Sequence, residues 1–371
     1  MRHARADAEA IFRAGLARVD PLAMLERVLS RDGDLLRVAT ETECHVYDLS
    51  RYRRILVLGA GKASARLALG LERVLGDRIT GGVVAVKEGY GESLPRLRLL
   101  EAGHPVPDAR SVVAARAVLD LAGQAGPDDL VIVLVSGGGS AILSAPLAAA
   151  GFALTLADKQ AVTRALLACG ATIQDINRVR KKLSAIKGGR LAQAIAPAHC
   201  LSLLLSDVVG DDLDAIASGP TVPDPTTPDE ALAVLDRYDL AGRIPAEAER
   251  MLRAVAAGGV PDTPKADDPA FATTRTVLVG TNHQALLAAR DKSLALGYRT
   301  LILTSHLTGE AREMARLFLG MLTTESSRAA STRRVVLAGG AERWPPGVAL
   351  VFVLRSLALA AEMAPSLPVR A

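Results

Sequence analysis

Apolar residues in this chain gather into short runs, and most of those runs end in glycine or a small polar residue. Residues 55–58, 82–86, 97–101, 130–135, 199–206, 276–280, 300–304 and 335–337 read this way, each the length of a β-strand. Unbroken aliphatic runs suit strands covered on both faces, as in a parallel sheet. Between them the period turns helical. One helix opens at Lys62 with Leu67, Leu71 and Val74 along one side, and others are predicted over 110–122, 155–169, 175–196, 284–296 and 309–322. Residues 1–19 predict an amphipathic helix with Ile11, Phe12, Leu16 and Val19 turned inward. The alternation predicts an α/β fold, and 371 residues exceed one ordinary core, so two α/β domains are expected. The proline-rich stretch GPTVPDPTTPDEA, 219–231, reads as a linker or lid.

The chain is organised around DLVIVLVSGGGSAILS, 129–144. A buried strand runs directly into Ser136, Gly137, Gly138, Gly139 and Ser140, and glycines there let backbone N–H groups converge on an anion. The two serines add hydroxyl donors. In an open α/β sheet this is the carboxyl end of a strand, where ligands bind; a tight turn leading into a helix is the plainer reading. A second such turn, Gly59-Ala60-Gly61, precedes Lys62 and a helix, the layout that aims helix N–H groups at an anion. It is neither a Walker A loop, since GxxxxGK[ST] is absent, nor the dinucleotide fingerprint, since Ser64 stands where the third glycine belongs. Lys62 is either a cation at the mouth of a ligand site or a solvated lysine at a helix start. His104, in GHPVPD, either touches a substrate or packs its loop.

Composition narrows the classes. Aromatics make up 3% of the chain and the formal charge is only +4, which argues against nucleic-acid binding and for a small anion. Cys44, Cys169 and Cys200 form no CxxC pair and are expected reduced, in a cytoplasmic protein. The scattered histidines show no zinc spacing. No apolar run is long enough to span a membrane, and the N-terminus lacks the apolar core of an export signal. In INRVRKKLSAIKGG, Arg180, Ser184 and Lys187 fall at i, i+4 and i+7, one helical face that is either an anion site or an ordinary basic exterior. Asp207, Asp211, Asp212 and Asp214 gather past the run at 199–206; they either hold Mg²⁺ or form a metal-free turn.

LGAGKAS, GHPVPD, VSGGGSA, INRVRKKLSAIKGGRLA, LSDVVGDDLDAIASGPTVPD, VGTNHQAL and GEAREMA, taken in order, resemble the class II glycerate kinase family, whose C-terminal half is the MOFRL domain. The resemblance implies ATP- and Mg²⁺-dependent phosphorylation of D-glycerate to 2-phosphoglycerate. It implies a Rossmann-like N-terminal domain over 1–240, a smaller MOFRL-like domain over 241–371, and an active site in the cleft between them. It makes Lys62 the catalytic lysine and the Ser136–Ser140 loop a holder of phosphates or substrate, and it matches Asp207 and Asn282 to family motif positions. For such a reaction Asp207, with Asp212, is expected to hold Mg²⁺ or take the proton from the glycerate hydroxyl, and Gly61, Arg180, Lys187 and Asn282 to bind substrate or nucleotide. Lys182 departs from the family's usual histidine. After Gly340 the sequence AERWPPGVALVFVLRSLALAAEMAPSLPVRA lacks the family's GGRN run, so the second domain is expected to be incomplete beyond about 340, through a frame change or truncation. The apolar strip at 348–354 would leave an edge that a second copy, in a homodimer, could cover. Two alternatives stand beside the kinase: an NAD(P)H-dependent hydroxypyruvate reductase, and a catalytically impaired nucleotide- or glycerate-binding relic.

Overall fold

The computed structural model of the protein describes residues 2–308, 313–318, 334–341 and 348–355. The chain forms two compact units: Leu25–Leu205 with Asp212–Val279, and Met1–Met24 with Ser206–Asp211 and Gly280–Ala371. The boundary expected near residue 240 falls inside the first of these, between helices Pro228–Arg237 and Ala246–Ala256.

The larger unit is built on a six-stranded sheet in the spatial order Thr274–Gly280, His199–Leu205, Asp129–Val135, Arg54–Ala60, Gly81–Lys87, Arg98–Ala102. The ladders from His199–Leu205 across to Arg98–Ala102 are all parallel. Every residue of Asp129–Val135 is buried, as its unbroken aliphatic run requires. From Arg54–Ala60 the chain steps outward through two strands, then crosses back to lay Asp129–Val135 on the other flank of Arg54–Ala60. Strand order therefore reverses between these two strands, whose ends are level, Ala60 opposite Val135. Such a reversal opens a crevice at the strands' carboxyl ends, and both glycine turns leave the sheet there.

Beside the sheet, helices Leu156–Ala168, Ile173–Lys182, Pro228–Arg237 and Ala246–Ala256 share an apolar core that includes Leu166, Val179, Leu235 and Met251. An antiparallel meander, Leu29–Asp32, Leu35–Ala39 and Cys44–Asp48, was not foreseen. Its strands are short and half exposed, with Leu35 and Val46 facing out, so no apolar run marks them.

The 219–231 stretch is not a lid. Gly219 to Val222 and Asp224 are buried, because Asp224 is tied to lysines of the Ile173–Lys182 helix. The helix expected over 175–196 also divides. It ends at Lys182, before the glycines are reached, and a separate helix Arg190–Ile195 starts after Gly188 and Gly189, both at left-handed φ values.

In the smaller unit, helix Arg2–Arg18 packs on helix Asn282–Ala295 through Ala8, Ile11, Ala285, Leu286 and Ala289. Ile11 and Val19 are buried as expected, but Phe12 and Leu16 are exposed. A stripe one hundred degrees wide cannot hold four such positions, and the Ala8–Ile11 side won. Strand Arg299–Thr308 pairs in parallel with Arg334–Ala341, which pairs antiparallel with Val348–Arg355. The apolar strip at 348–354 therefore has one flank paired. Of the helix expected over 309–322, residues 313–318 are helical; the rest, and the tail beyond 355, lie outside the described residues.

Candidate active site

The two glycine turns interlock. Ser136 N–H donates to Ala60 O (3.1 Å), Lys62 N–H to Gly137 O (2.9 Å), and Ala63 N–H to Ser136 Oγ (3.0 Å). Gly61, at φ +143°, lies so close to Ser136 that a Cβ there would sit 2.1 Å from its Oγ and 2.6 Å from its carbonyl oxygen. Only glycine fits that approach. Ser64, where the dinucleotide fingerprint needs glycine, is fully buried and donates to Leu134 O (3.2 Å), stitching its helix to the neighbouring strand. The helix begins at Ser64, so Lys62 lies in the turn ahead of it. The backbone N–H groups of Gly137 and Gly138 take no part in the backbone hydrogen bonds among the described residues.

Beyond the turn, Ser140 is a junction. Arg180 Nη2 donates to its Oγ (2.7 Å), and Lys187 Nζ donates to its carbonyl oxygen (2.6 Å) and to Leu143 O (3.2 Å). Ser218 Oγ lies 2.8 Å from Ser140 Oγ and donates to Asn177 Oδ1 (3.0 Å). A hydroxyl has one proton. With that of Ser218 committed to Asn177, Ser140 donates to Ser218 and accepts from Arg180. The hydroxyls of Ser136 and Ser140 are thus engaged within the protein, which leaves the glycine amides and the cations to meet a ligand. Ala217 and Ser218 hold left-handed φ values of 50° and 63°, strain of the kind that gathers at functional sites.

Arg180, Ser184 and Lys187 do not share a helical face, because the helix has ended by Ser184. Arg180 and Lys187 nonetheless converge on one residue. Nor is the basic run an outer surface: Lys181, Lys182 and Lys187 are all buried. Burial pushes the Arg180 guanidinium down to about 10, and it lowers Lys187 strongly, helped by the Lys159 and Arg180 charges. Lys159, buried with its Nζ on Ala145 O (3.1 Å), is pushed down to about 7 by burial and by Arg180 and Arg190. Arg180, Lys187 and Lys159 bond to a hydroxyl and to backbone carbonyls, which leave their charges in place and make this end of the sheet strongly electropositive.

Lys181 and Lys182 are paired instead. Lys181 Nζ reaches Asp214 (2.6 Å) and Asp224 (3.2 Å), while Lys182 Nζ reaches Asp224 (3.0 Å), Asp262 (2.8 Å), Thr226 O (2.7 Å) and Thr263 Oγ1 (2.8 Å). Burial alone would raise the Asp224 carboxyl, but the two ammoniums and Thr263 hold it well below the usual carboxylate range. Sequence reasoning missed Lys159, Asn177, Ser218 and Asp224. The KK pair was the one available signal for Asp224, since two buried lysines require a buried acid.

Asp207 and Asn282 belong to the smaller unit, where Ser206 N–H donates to Gly280 O (3.0 Å). Asn282, in the first turn of its helix, is buried; its Nδ2 donates to Ser305 O (3.0 Å) and its Oδ1 lacks a partner among the described residues. Asp212 is exposed, in the larger unit. Among the described residues no three His, Cys, Asp or Glu side chains gather as a metal-holding group. Taken singly, the carboxylate of Asp207 or of Asp212 offers the hard oxygens that suit Mg²⁺, an ion that needs only one or two carboxylates when phosphates and water complete its shell. Among the described residues no helix is long and apolar enough to cross a membrane.

The family described as a domain of unknown function, DUF4147, matches residues 7–253. A putative hydroxypyruvate reductase of Agrobacterium vitis is 44% identical over 289 residues, covering 77% of this chain and 71% of that one. A glycerate 2-kinase of Pyrococcus horikoshii is 38% identical over 272 residues, 73% of this chain; the match spans 59% of that protein's length. The crystal structure of a glycerate kinase from Thermotoga maritima superposes with a TM-score of 0.74 at 31% identity, covering 92% of this chain and 74% of that one.

Proposed function

The chain belongs to the DUF4147 family, and from that premise we propose that it is a glycerate kinase, transferring the γ-phosphoryl of ATP to the 2-hydroxyl of D-glycerate. One observation carries the reading: two interlocked glycine turns end adjacent parallel strands where the strand order reverses, with Lys62 in the turn and Arg180 and Lys187 converging on Ser140. The names of the Pyrococcus and Thermotoga relatives support the substrate.

Phosphoryl transfer asks a protein mainly for positioning and charge neutralisation. In this reading the Gly137 and Gly138 amides and the Lys62 ammonium receive phosphoryl oxygens, and Arg180 meets the glycerate carboxylate. Lys187 and Lys159 support that role from below by clamping the carbonyls of Ser140, Leu143 and Ala145. Asp207, or Asp212, would offer a carboxylate to Mg²⁺, which supplies charge neutralisation to the polyphosphate. Asp207 and Asn282 are assigned to the reaction on the strength of the family motif. The three free thiols, Cys44, Cys169 and Cys200, suit a cytoplasmic enzyme.

The test is glycerate-dependent ADP release by the purified chain with ATP and Mg²⁺, the product identified by NMR. Release yielding 2-phosphoglycerate is expected. The reductase named for the Agrobacterium relative predicts instead that NADH absorbance falls on adding hydroxypyruvate. Thermal stabilisation by ATP without turnover would mark a binding relic.

A further inference from the structure

His104 takes no part in the reaction as assigned so far, yet it lies on the glycine loop. A Cβ placed on Gly138 would fall 2.9 Å from both Cδ2 and Nε2 of the imidazole and 3.3 Å from Lys62 Cγ. The Nε2 edge of the ring, the lysine side chain and the loop backbone therefore meet at one point. The ring is half-buried, and among the described residues neither nitrogen has a hydrogen-bond partner. Burial, then the Lys62 and Lys87 ammoniums, push the imidazole down to about 4, so it is neutral at pH 7. Lys87 is itself seated over the Tyr90 ring, 4.8 Å from its centroid. A neutral imidazole carries one N–H and one lone pair. It can donate to an oxygen without adding a third positive charge beside two lysines.

We propose that His104 is a ligand-contacting residue of this site, its Nε2 edge hydrogen-bonding an oxygen of the oxyanion held at the Gly137–Gly139 loop. The ligand class is a phosphoryl or carboxylate oxyanion, and the inference rests on the kinase reading only for which of the two is bound in turnover. An anion there favours the imidazolium, so ligand binding raises the His104 pKa toward the ordinary value of about 6.5.

The experiment is ¹⁵N NMR of the full chain labelled at histidine, with His104 assigned by His104→Gln. Inorganic phosphate, D-glycerate and ATP are added separately. At least one is expected to move the His104 ring resonances and raise its titration midpoint; which one does so separates a phosphoryl from a carboxylate contact. Ring resonances unmoved by all three overturn the proposal. In turnover, His104→Ala is expected to lower kcat/KM roughly 10- to 100-fold, with His104→Gln recovering much of the loss. His104→Phe, which keeps the packing, should recover none. Full recovery by Phe assigns the ring to packing and overturns the contact. A phosphate-induced shift in a chain that releases no ADP would leave this contact standing and remove the kinase; ADP release with an unresponsive His104 would do the reverse.

Discussion

Asp224→Asn is the most informative change to the scaffold beneath the site. Asp224 is fully buried. Its Oδ1 accepts from Lys181 Nζ (3.2 Å), Thr226 N–H (3.0 Å) and Thr226 Oγ1 (2.8 Å), and its Oδ2 from Lys182 Nζ (3.0 Å) and Thr263 Oγ1 (2.7 Å). Asparagine preserves the volume, but whichever way its amide turns, the NH₂ faces an ammonium and another donor. Breaking a buried ion pair from one side costs about 3–5 kcal/mol. Asp214 still holds Lys181, and Asp262 and Thr226 O still hold Lys182, so the lower end applies, about 3 kcal/mol. For a unit of roughly 250 residues, that lowers Tm by about 6–12 °C. The carboxyl is depressed in the fold, so its contribution is present above the unfolded carboxylate value of about 4 and fades as pH falls below it. Calorimetry of wild type and variant at pH 7, 4 and 3 should show the gap nearly unchanged down to about pH 4 and narrowing at pH 3. A Tm within about 2 °C of wild type at pH 7 would refute the assignment of Asp224 as the counter-charge of both lysines.

Lys62→Ala should lose on the order of 100-fold in turnover while leaving Tm near wild type, and near-normal ADP release would remove Lys62 from the reaction. Gly61→Ala places a methyl against the Ser136 carbonyl at a left-handed φ and should destabilise by about 3 kcal/mol or more in urea unfolding. Adding Ser136→Gly to that variant should recover less than half, since only the clash with the hydroxyl is relieved and the backbone contact persists. Lys159 binds its proton less readily folded, near 7, than unfolded, near 10.5. Between those values the unfolded chain holds more protons, so this group makes stability rise with pH, by up to about 1.4 kcal/mol per pH unit. Urea titrations at pH 7, 8 and 9 should show a flatter dependence in Lys159→Met; an identical slope would mean that Lys159 titrates normally.

The sheet was legible because buried parallel strands leave long aliphatic runs, and 130–135 or 199–206 can hardly be anything else. Their glycine endings were legible for the same reason, since a loop that must pass close to its neighbour cannot carry a Cβ. The cationic stretch was ambiguous in sequence. RVRKKLSAIK has helical spacing and the charge of a solvated face, and only the acids of distant segments, Asp214, Asp224 and Asp262, reveal that it is interior. Asp224 was hidden among prolines that signal a linker, because sequence proximity says nothing about a partner forty residues away. Ser184 was misplaced by the same spacing argument, which assumed that a helix continues until glycine stops it. His104 was left undecided between substrate and packing, as a lone histidine in a loop must be without its neighbours.

The contact between Gly61 and Ser136 also bears on how such a site can be inherited or transplanted. Each turn is the mould of the other: the first has no room for a side chain because of the second, and the second is held in place by amides of the first. Recombination that joined the 54–75 segment of one relative to the 129–144 segment of another would succeed only where both parents share this fit. The pair is one hereditary part, although some seventy residues of intervening chain separate its halves.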